Sequence, residues 1–285
     1  MSVKRMKPDH ATTIPVTLSA RAEVSPSFLR LTVTGADLDS YQPMGADQWF
    51  RLFLPSGGGL AADVAGDTGN ATGTGVGAGE PRTLPDMSLR SIASYTLTRP
   101  SRRPLIRNYT TVDFRPGDPA AGRATAELDF DVYVDDSHEG PGLTWARDAP
   151  LGSAAALLDE GRLYAPPEDS TCELLVGDES ALPAIAGILS GAPETMTGLV
   201  VVELGNTNDI RDLPRPSGVE VVWTERGDTE PGAGALAEVR RRGAPADLSY
   251  AYLAGPSSMV TGLRRFLVRD CGVAKDLVSF TGYWR

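Results

Sequence analysis

Four consecutive residues, Arg107-Asn108-Tyr109-Thr110, bring a permanent cation, an amide, a flat aromatic ring and a hydroxyl into one short stretch. An arginine can fork onto a diphosphate, a tyrosine ring can lie against a fused heterocycle, and a threonine hydroxyl can reach a ring heteroatom. On a strand, Arg107 and Tyr109 point one way while Asn108 and Thr110 point the other. From spacing alone, an ordinary cross-strand pairing of an Arg and a Tyr is the more economical reading. A second segment, Glu139-Gly140-Pro141-Gly142-Leu143-Thr144-Trp145-Ala146, is a Gly/Pro turn whose Thr144 can cap a short helix. A helix N-terminus there would offer free N–H groups to a phosphate. A capped helix with Trp145 packed beneath it accounts for the same residues.

Other chemistries find little support. The chain has two histidines, His10 and His138, and two widely separated cysteines, Cys172 and Cys271, so neither a metal centre nor a disulfide framework is legible. Both cysteines read as reduced and structural. No metal ligand set is expected, and no side chain is singled out as catalytic in its own right; a cofactor would carry any redox or group-transfer step. With 27 Lys+Arg against 37 Asp+Glu, the net charge of -10 argues against a nucleic-acid or anionic-membrane binder. An anionic ligand must be held by a local site. The longest aliphatic run, Leu199 to Val202, is far shorter than a membrane span. The basic first residues are not followed by an apolar stretch of the kind a signal peptide needs, so a cytoplasmic chain is the expectation.

The elements that must position these residues change character along the chain. Runs at Ile14–Leu18, Phe28–Val33, Trp49–Leu54, Arg107–Phe114 and Ala126–Val134 alternate apolar and polar residues between turns, which predicts antiparallel strands in a small sandwich or barrel. Glu127, Asp129 and Asp131 then share one face, expected to be the solvated one. Between Ser56 and Glu80 the composition collapses to Gly, Ala, Thr and Asp, a surface insertion. Its Gly73-Thr74-Gly75-Val76-Gly77-Ala78 matches a dinucleotide fingerprint on paper but lacks a strand before it and a helix after it.

From Cys172 the period switches. Strands are expected at 172–176, 198–204, 219–223, 250–253 and 277–280, with helices near 181–189, 233–242 and 257–269, Ser180 capping the first and Pro183 in its first turn. Strands alternating with helices predict a mainly parallel sheet covered on both faces. The expected organisation is therefore an N-terminal antiparallel β-barrel over residues 1–150, carrying the 56–80 insertion, followed by a Rossmann-like parallel-sheet α/β domain over 151–285.

Taken in order, the strand-borne Arg107-x-Tyr109-Thr110, the Gly/Pro turn with Thr144 and Trp145, the block Gly177-Asp178-Glu179-Ser180-Ala181-Leu182-Pro183-Ala184-Ile185, and the ending Gly282-Tyr283-Trp284-Arg285 resemble the siderophore-interacting proteins. That family belongs to the ferredoxin-reductase superfamily, and the resemblance implies an FAD-dependent reductase that passes electrons to Fe(III) in a siderophore and releases Fe(II). It implies an FAD site built from Arg107 on the diphosphate, Tyr109 beside the isoalloxazine, Thr110 near its reactive edge, neighbouring Asn108, and Gly142, Thr144 and Trp145 at the phosphate turn. Gly177, Asp178, Glu179 and Ser180 match the turn that meets the electron donor, which would be NADH, NADPH or a ferredoxin. Tyr283 and Trp284 match a flavin-side terminal segment. A ferric siderophore, often anionic, would call for a basic rim, with Arg51, Arg99, Arg102, Arg103, Arg264, Arg265 and Arg269 as candidates. Glu203, at the end of the second α/β strand, could bind a ribose hydroxyl and would then favour NADH over NADPH.

The chain also departs from the family pattern. Val112 stands where a second Arg is usual, Asp135-Asp136 where a His-Gly pair is usual, and Pro256 where a Glu is usual. These departures keep two alternatives open: a non-catalytic siderophore-binding protein, and a flavin reductase donating electrons to a partner enzyme.

Overall fold

The computed structural model describes residues 5–9, 12–54, 105–134 and 140–285. The 56–80 insertion, Arg99, Arg102, Arg103, Asp135, Asp136, His10 and His138 lie outside the described residues.

Six antiparallel strands close a barrel in the order β1-β2-β5-β4-β3-β6: β1 (Thr13–Ser25), β2 (Phe28–Thr34), β3 (Trp49–Leu54), β4 (Leu105–Arg115), β5 (Glu127–Tyr133) and β6 (Ala154–Asp159). Alternation decides what fills it. Ile14, Val16 and Leu18 of β1, Leu31 and Val33 of β2, Phe50 and Leu52 of β3, and Leu128 and Phe130 of β5 all point inward and are buried. A short helix, α1 (Pro141–Asp148), follows β5 and packs Trp145 and Ala146 into this core. The last barrel strand, β6, pairs with both β1 and β3 and lies beyond the expected division at residue 150.

The acidic face of β5 is not the solvated surface that its alternation suggested. Asp129 and Asp131 are buried, because Arg30 and Arg115 on the flanking strands lie over them: Arg30 Nε donates to Asp131 at 2.8 Å and Arg115 Nη1 to Asp129 at 2.8 Å. Thr32 adds a bond to Asp129 at 2.7 Å. A β-bulge interrupts the β4 to β5 pairing at Val112, between Thr111 and Asp113.

The second half is a five-stranded parallel sheet ordered β11-β10-β7-β8-β9, built from β7 (Cys172–Asp178), β8 (Thr197–Leu204), β9 (Gly218–Glu225), β10 (Tyr250–Pro256) and β11 (Val278–Trp284). Its strands are near-continuous apolar runs because both faces are covered. Leu175, Val200 and Tyr252 face α2 (Leu182–Ser190). Leu174, Val176 and Leu253 face α3 (Ala233–Arg242) and α4 (Ser257–Arg265) on the other side. The chain order reverses beside β7, so the carboxyl end of β7 is a topological switch point.

The α2 face is the one turned towards the barrel, and Phe28, Tyr133 and Tyr164 join its apolar cluster. Contact there is close enough that a Cβ on Gly187 would come within 2.2 Å of the Ala46 carbonyl oxygen. A polar latch fixes the two halves. Asp209, from the loop after β8, accepts bonds from Ser25 Oγ at 2.7 Å and the Ser27 N–H at 3.0 Å in the β1–β2 turn.

Candidate functional site

Strand β4 carries the Arg-x-Tyr-Thr segment along the barrel wall, where it pairs with β3. Arg107 is exposed and lies across the N-terminal end of α1, where a Cβ on Gly142 would sit 2.9 Å from Arg107 Cγ. Only glycine lets the guanidinium stem lie flat there. The N-cap of α1 is Gly140, which has no side chain to cap it, so among the described residues the leading amides of the helix lie beside the Arg107 stem. Thr144 is not the cap that the sequence suggested: it sits one turn inside, exposed, with Oγ1 donating to the Gly140 carbonyl at 3.2 Å. Pro141 takes the first helical position instead, which shifts the start of the helix upstream. Trp145 is buried, and its Nε1 has no hydrogen-bond partner.

Tyr109 packs its ring on Phe130, with centroids 4.9 Å apart, and on Phe50 at 6.4 Å. Burial pushes its hydroxyl up to about 12, against the pull of Arg107, so the ring stays neutral. Thr110 is the next residue along the strand and is buried. Asn108 is exposed, opposite Arg51 in the β3–β4 pairing.

The C-terminal segment is held at several points. Trp284 Nε1 donates to Asp178 at 3.1 Å, and the Trp284 carbonyl accepts from Ser257 Oγ at 2.9 Å. The Tyr283 hydroxyl lies 3.3 Å from that of Tyr252, while its ring remains 40% exposed at the rim. Tyr252, Tyr283, Trp284, Ser257 and Asp178 thus tie the terminal strand to the switch-point end of the sheet.

The turn after β7 is folded in on itself. Asp178 is fully buried; burial first, then the Glu179 charge, push its carboxyl up to about 7 despite bonds from Ser180 and Trp284. Ser180 donates to Asp178 Oδ1 at 2.5 Å rather than capping α2, whose N-cap is Ala181. Glu179 is buried and paired with Arg226, whose Nη2 reaches Glu179 Oε1 at 2.5 Å. A Cβ on Gly177 would fall 2.6 Å from Ala181 Cβ, so the turn leaves no room above it.

Glu203 overturns the expectation of a ribose contact. It is fully buried, and its two oxygens accept from the Gly232 N–H at 2.6 Å, the Gly234 N–H at 2.7 Å, the Ala235 N–H at 3.2 Å and Arg226 Nε at 3.0 Å. The carboxylate serves the N-terminus of α3, which lacks a side-chain cap of its own, and has no capacity left for a ribose. The lean towards NADH falls with it.

Of the candidate basic rim, Arg99, Arg102 and Arg103 lie outside the described residues, and Arg51 and Arg264 have partners of their own. Arg51 Nε is engaged by Glu160 at 2.7 Å. Arg264 stacks on Phe280 at 4.6 Å and, with Arg265, ends α4, roughly 10 Å along the helix from the Ser257 end that meets Trp284. Two residues unmarked in the sequence join the site instead. Asp47, in the turn before β3, accepts from the Tyr164 N–H at 2.9 Å, and Tyr252, on β10, has its hydroxyl 3.3 Å from that of Tyr283. Only the fold, by setting 47 against 164 and 252 against 283, reveals them.

Two family models cover most of the chain: siderophore-interacting FAD-binding domain over residues 17–163 and siderophore-interacting protein over residues 172–285. The chain belongs to the siderophore-interacting proteins. Its barrel is the FAD-binding domain of that family. This siderophore-interacting protein is 29% identical over 282 residues to an uncharacterized protein of Mycobacterium tuberculosis, covering 93% of this chain and 88% of the relative. It is 25% identical over 265 residues to the ferric vibriobactin reductase ViuB of Vibrio cholerae, covering 92% and 85%. Among solved structures, the siderophore-interacting protein SipS of Aeromonas hydrophila superposes with a TM-score of 0.71 at 23% identity, covering 96% of this chain and 92% of that one. The Amycolatopsis cytochrome P450 reductase GcoB shares the fold at a TM-score of 0.60 and 15% identity, covering 98% and 72%. The antiparallel barrel followed by a parallel α/β sheet is the expected architecture. Among the described residues no helix is long and apolar enough to cross a membrane, and no group of His, Cys, Asp or Glu could hold a metal ion.

Proposed function

We propose that this siderophore-interacting protein is an FAD-dependent oxidoreductase that reduces Fe(III) in a siderophore and so releases Fe(II) for use inside the cell. The observation that carries the reading is the close approach of Arg107 to the N-terminal turn of α1 at Gly142, with Arg107 on the same strand as Tyr109 and the buried Thr110. Arg107 and the α1 amides supply positive potential for a diphosphate, and Tyr109, Thr110 and Tyr283 supply ring and hydroxyl contacts for a flavin. Bound FAD supplies the ability to take up a two-electron hydride and deliver single electrons. The chain's own residues bind and orient: Arg107 anchors, Tyr109 stays neutral beside the barrel core, and Tyr283 and Trp284 close the rim.

Ferric iron is substrate in this scheme, and each Fe(III) accepts one electron. Hard oxygen ligands hold Fe(II) far less tightly, so reduction loosens the chelate without a protein ligand to the metal. NADH, NADPH or a reduced ferredoxin would supply the electrons. The inward-turned Glu179 and Glu203 offer no contact that selects between the two nicotinamides.

The test is the visible spectrum of the purified protein, followed anaerobically as each donor and then a ferric siderophore is added. Flavin bands that bleach with a donor and return with the chelate are the expected result and identify the donor. A protein that cannot be loaded with FAD would overturn the reading in favour of siderophore binding without turnover. A flavoprotein that turns over with a protein acceptor and ignores ferric chelates would be a flavin reductase serving a partner enzyme.

A further inference from the structure

Helix α1 is held between two opposite walls of the barrel. In the closed order β1-β2-β5-β4-β3-β6, strands β1 and β4 stand three places apart in either direction. The N-terminal turn of α1 meets the Arg107 stem on β4, and its other end, about 12 Å along the axis, meets β1. There the half-buried Arg21 donates from Nε to the Ala146 carbonyl at 2.6 Å and from Nη2 to the Ala149 carbonyl at 2.6 Å.

The last carbonyls of a helix have no partner within it, and at a buried end they must find one outside. Ala146 and Ala149 are both fully buried, so Arg21 stands in for water at this end. One guanidinium bonded to two carbonyls three residues apart fixes the helix in rotation as well as in position, and its charge suits the negative end of the helix dipole. Just beyond, the β1 backbone takes over: the Leu18 N–H donates to the Ser153 carbonyl at 3.0 Å, and the Gly152 N–H to the Leu18 carbonyl at 2.8 Å. At the opposite end, the Thr144 N–H donates to the Gly140 carbonyl at 2.9 Å, with the Gly142 and Leu143 amides ahead of it. A helix of 8 residues is too short to persist on its own, so its anchorage decides where those amides point.

We propose that Arg21 is a positioning residue for the diphosphate of FAD, which clamps the C-terminal turn of α1 to β1 and so sets the leading amides of the helix against Arg107. The inference rests on the reading of that N-terminal turn as the phosphate end of the flavin site. Arg21 stands at the far end of α1 and acts through the helix. Its charge lies farther from the turn than the Debye length of about 8 Å in physiological salt, so the clamp, more than the field, reaches the phosphates.

The experiment compares FAD with riboflavin, which carries the same ring and no phosphate, by fluorescence titration of the full-length apoprotein. Arg21→Ala is expected to weaken FAD binding by about ten-fold, the scale of lost hydrogen bonds to a charged group, and to leave riboflavin binding at the wild-type level. Arg21→Lys keeps the charge but cannot fork onto both carbonyls. It should lose FAD affinity with the same selectivity, and it decides the matter should Arg21→Ala fail to fold. Wild-type FAD affinity in a folded variant, or a parallel loss of FAD and riboflavin, overturns the proposal while leaving the flavoprotein reading intact. A wild-type chain that takes up no FAD overturns both.

Discussion

The indole N–H of Trp284 donates to the Asp178 carboxylate at 3.1 Å, across 106 positions of sequence, and ties the final strand to the first turn of the α/β domain. That bond joins the segment matched to the electron donor to the segment matched to the flavin. It also keeps a carboxyl fully buried, and this has consequences for stability.

Asp178 is held up at about 7, above the ordinary carboxylate value. Between roughly pH 4 and that value the native state keeps a proton that the unfolded chain has released, so stability falls as pH rises through the window. The cost is complete above it. Asp178→Asn retains an acceptor for Trp284 and has no charge to bury. It is expected to melt above the wild type at pH 8, with an advantage that shrinks steadily towards pH 4. A melting-temperature difference independent of pH would contradict the assignment.

Glu203 caps α3 and shares Arg226 with Glu179. Removing one member of such a buried network leaves the others uncompensated, so Glu203→Ala should lower unfolding free energy by about 3 kcal/mol in urea titration. Because the carboxylate faces inward, the ratio of NADH-driven to NADPH-driven turnover should not move. A changed ratio would return Glu203 to the donor site.

Arg107 carries the fixed charge at the phosphate end of the site. Arg107→Ala is expected to weaken FAD binding by about 10- to 100-fold, the range for losing hydrogen bonds to a charged group, as measured by fluorescence titration of the apoprotein. Gly142→Ala should weaken it too, since the added methyl displaces the Arg107 stem. Equal FAD affinity in both variants and the wild type would remove Arg107 from the site.

Asp209 accepts from Ser25 Oγ and the Ser27 N–H across the domain boundary. Asp209→Ala strands these donors, the second of them buried, at a cost of about 1 to 3 kcal/mol. The expected signature is faster amide exchange at Ser27 and in the loop after β8, with exchange in the barrel core unchanged. Uniform acceleration across the chain would show that the latch is not local.

Much of this architecture is written locally. Trp49–Leu54 and Ala233–Arg242 begin and end where their periodicity and flanking residues say, because a two-residue or 3.6-residue repeat needs no distant information. β6 is different: its Ala-Ala-Ala-Leu-Leu-Asp has little alternation, since residues on both faces are buried between β1 and β3. Asp129 and Asp131 look solvated until Arg115 is laid over the first and Arg30, about a hundred residues away, over the second. The site divides in the same way. Arg107 and Thr110 announce themselves by type and spacing, whereas Asp47 and Tyr252 are ordinary residues until folding sets them against Tyr164 and Tyr283. Glu203 sat where a ribose ligand would be sought, and only the amides of α3 show what it binds.

Because β6 bridges β1 and β3, the barrel cannot be cut free at residue 150. A fragment ending there would present two bare strand edges, each a row of unpaired amides and carbonyls ready to recruit a neighbouring molecule. Isolating the flavin domain therefore calls for a chain that runs past Asp159. The shorter piece is expected in the insoluble fraction.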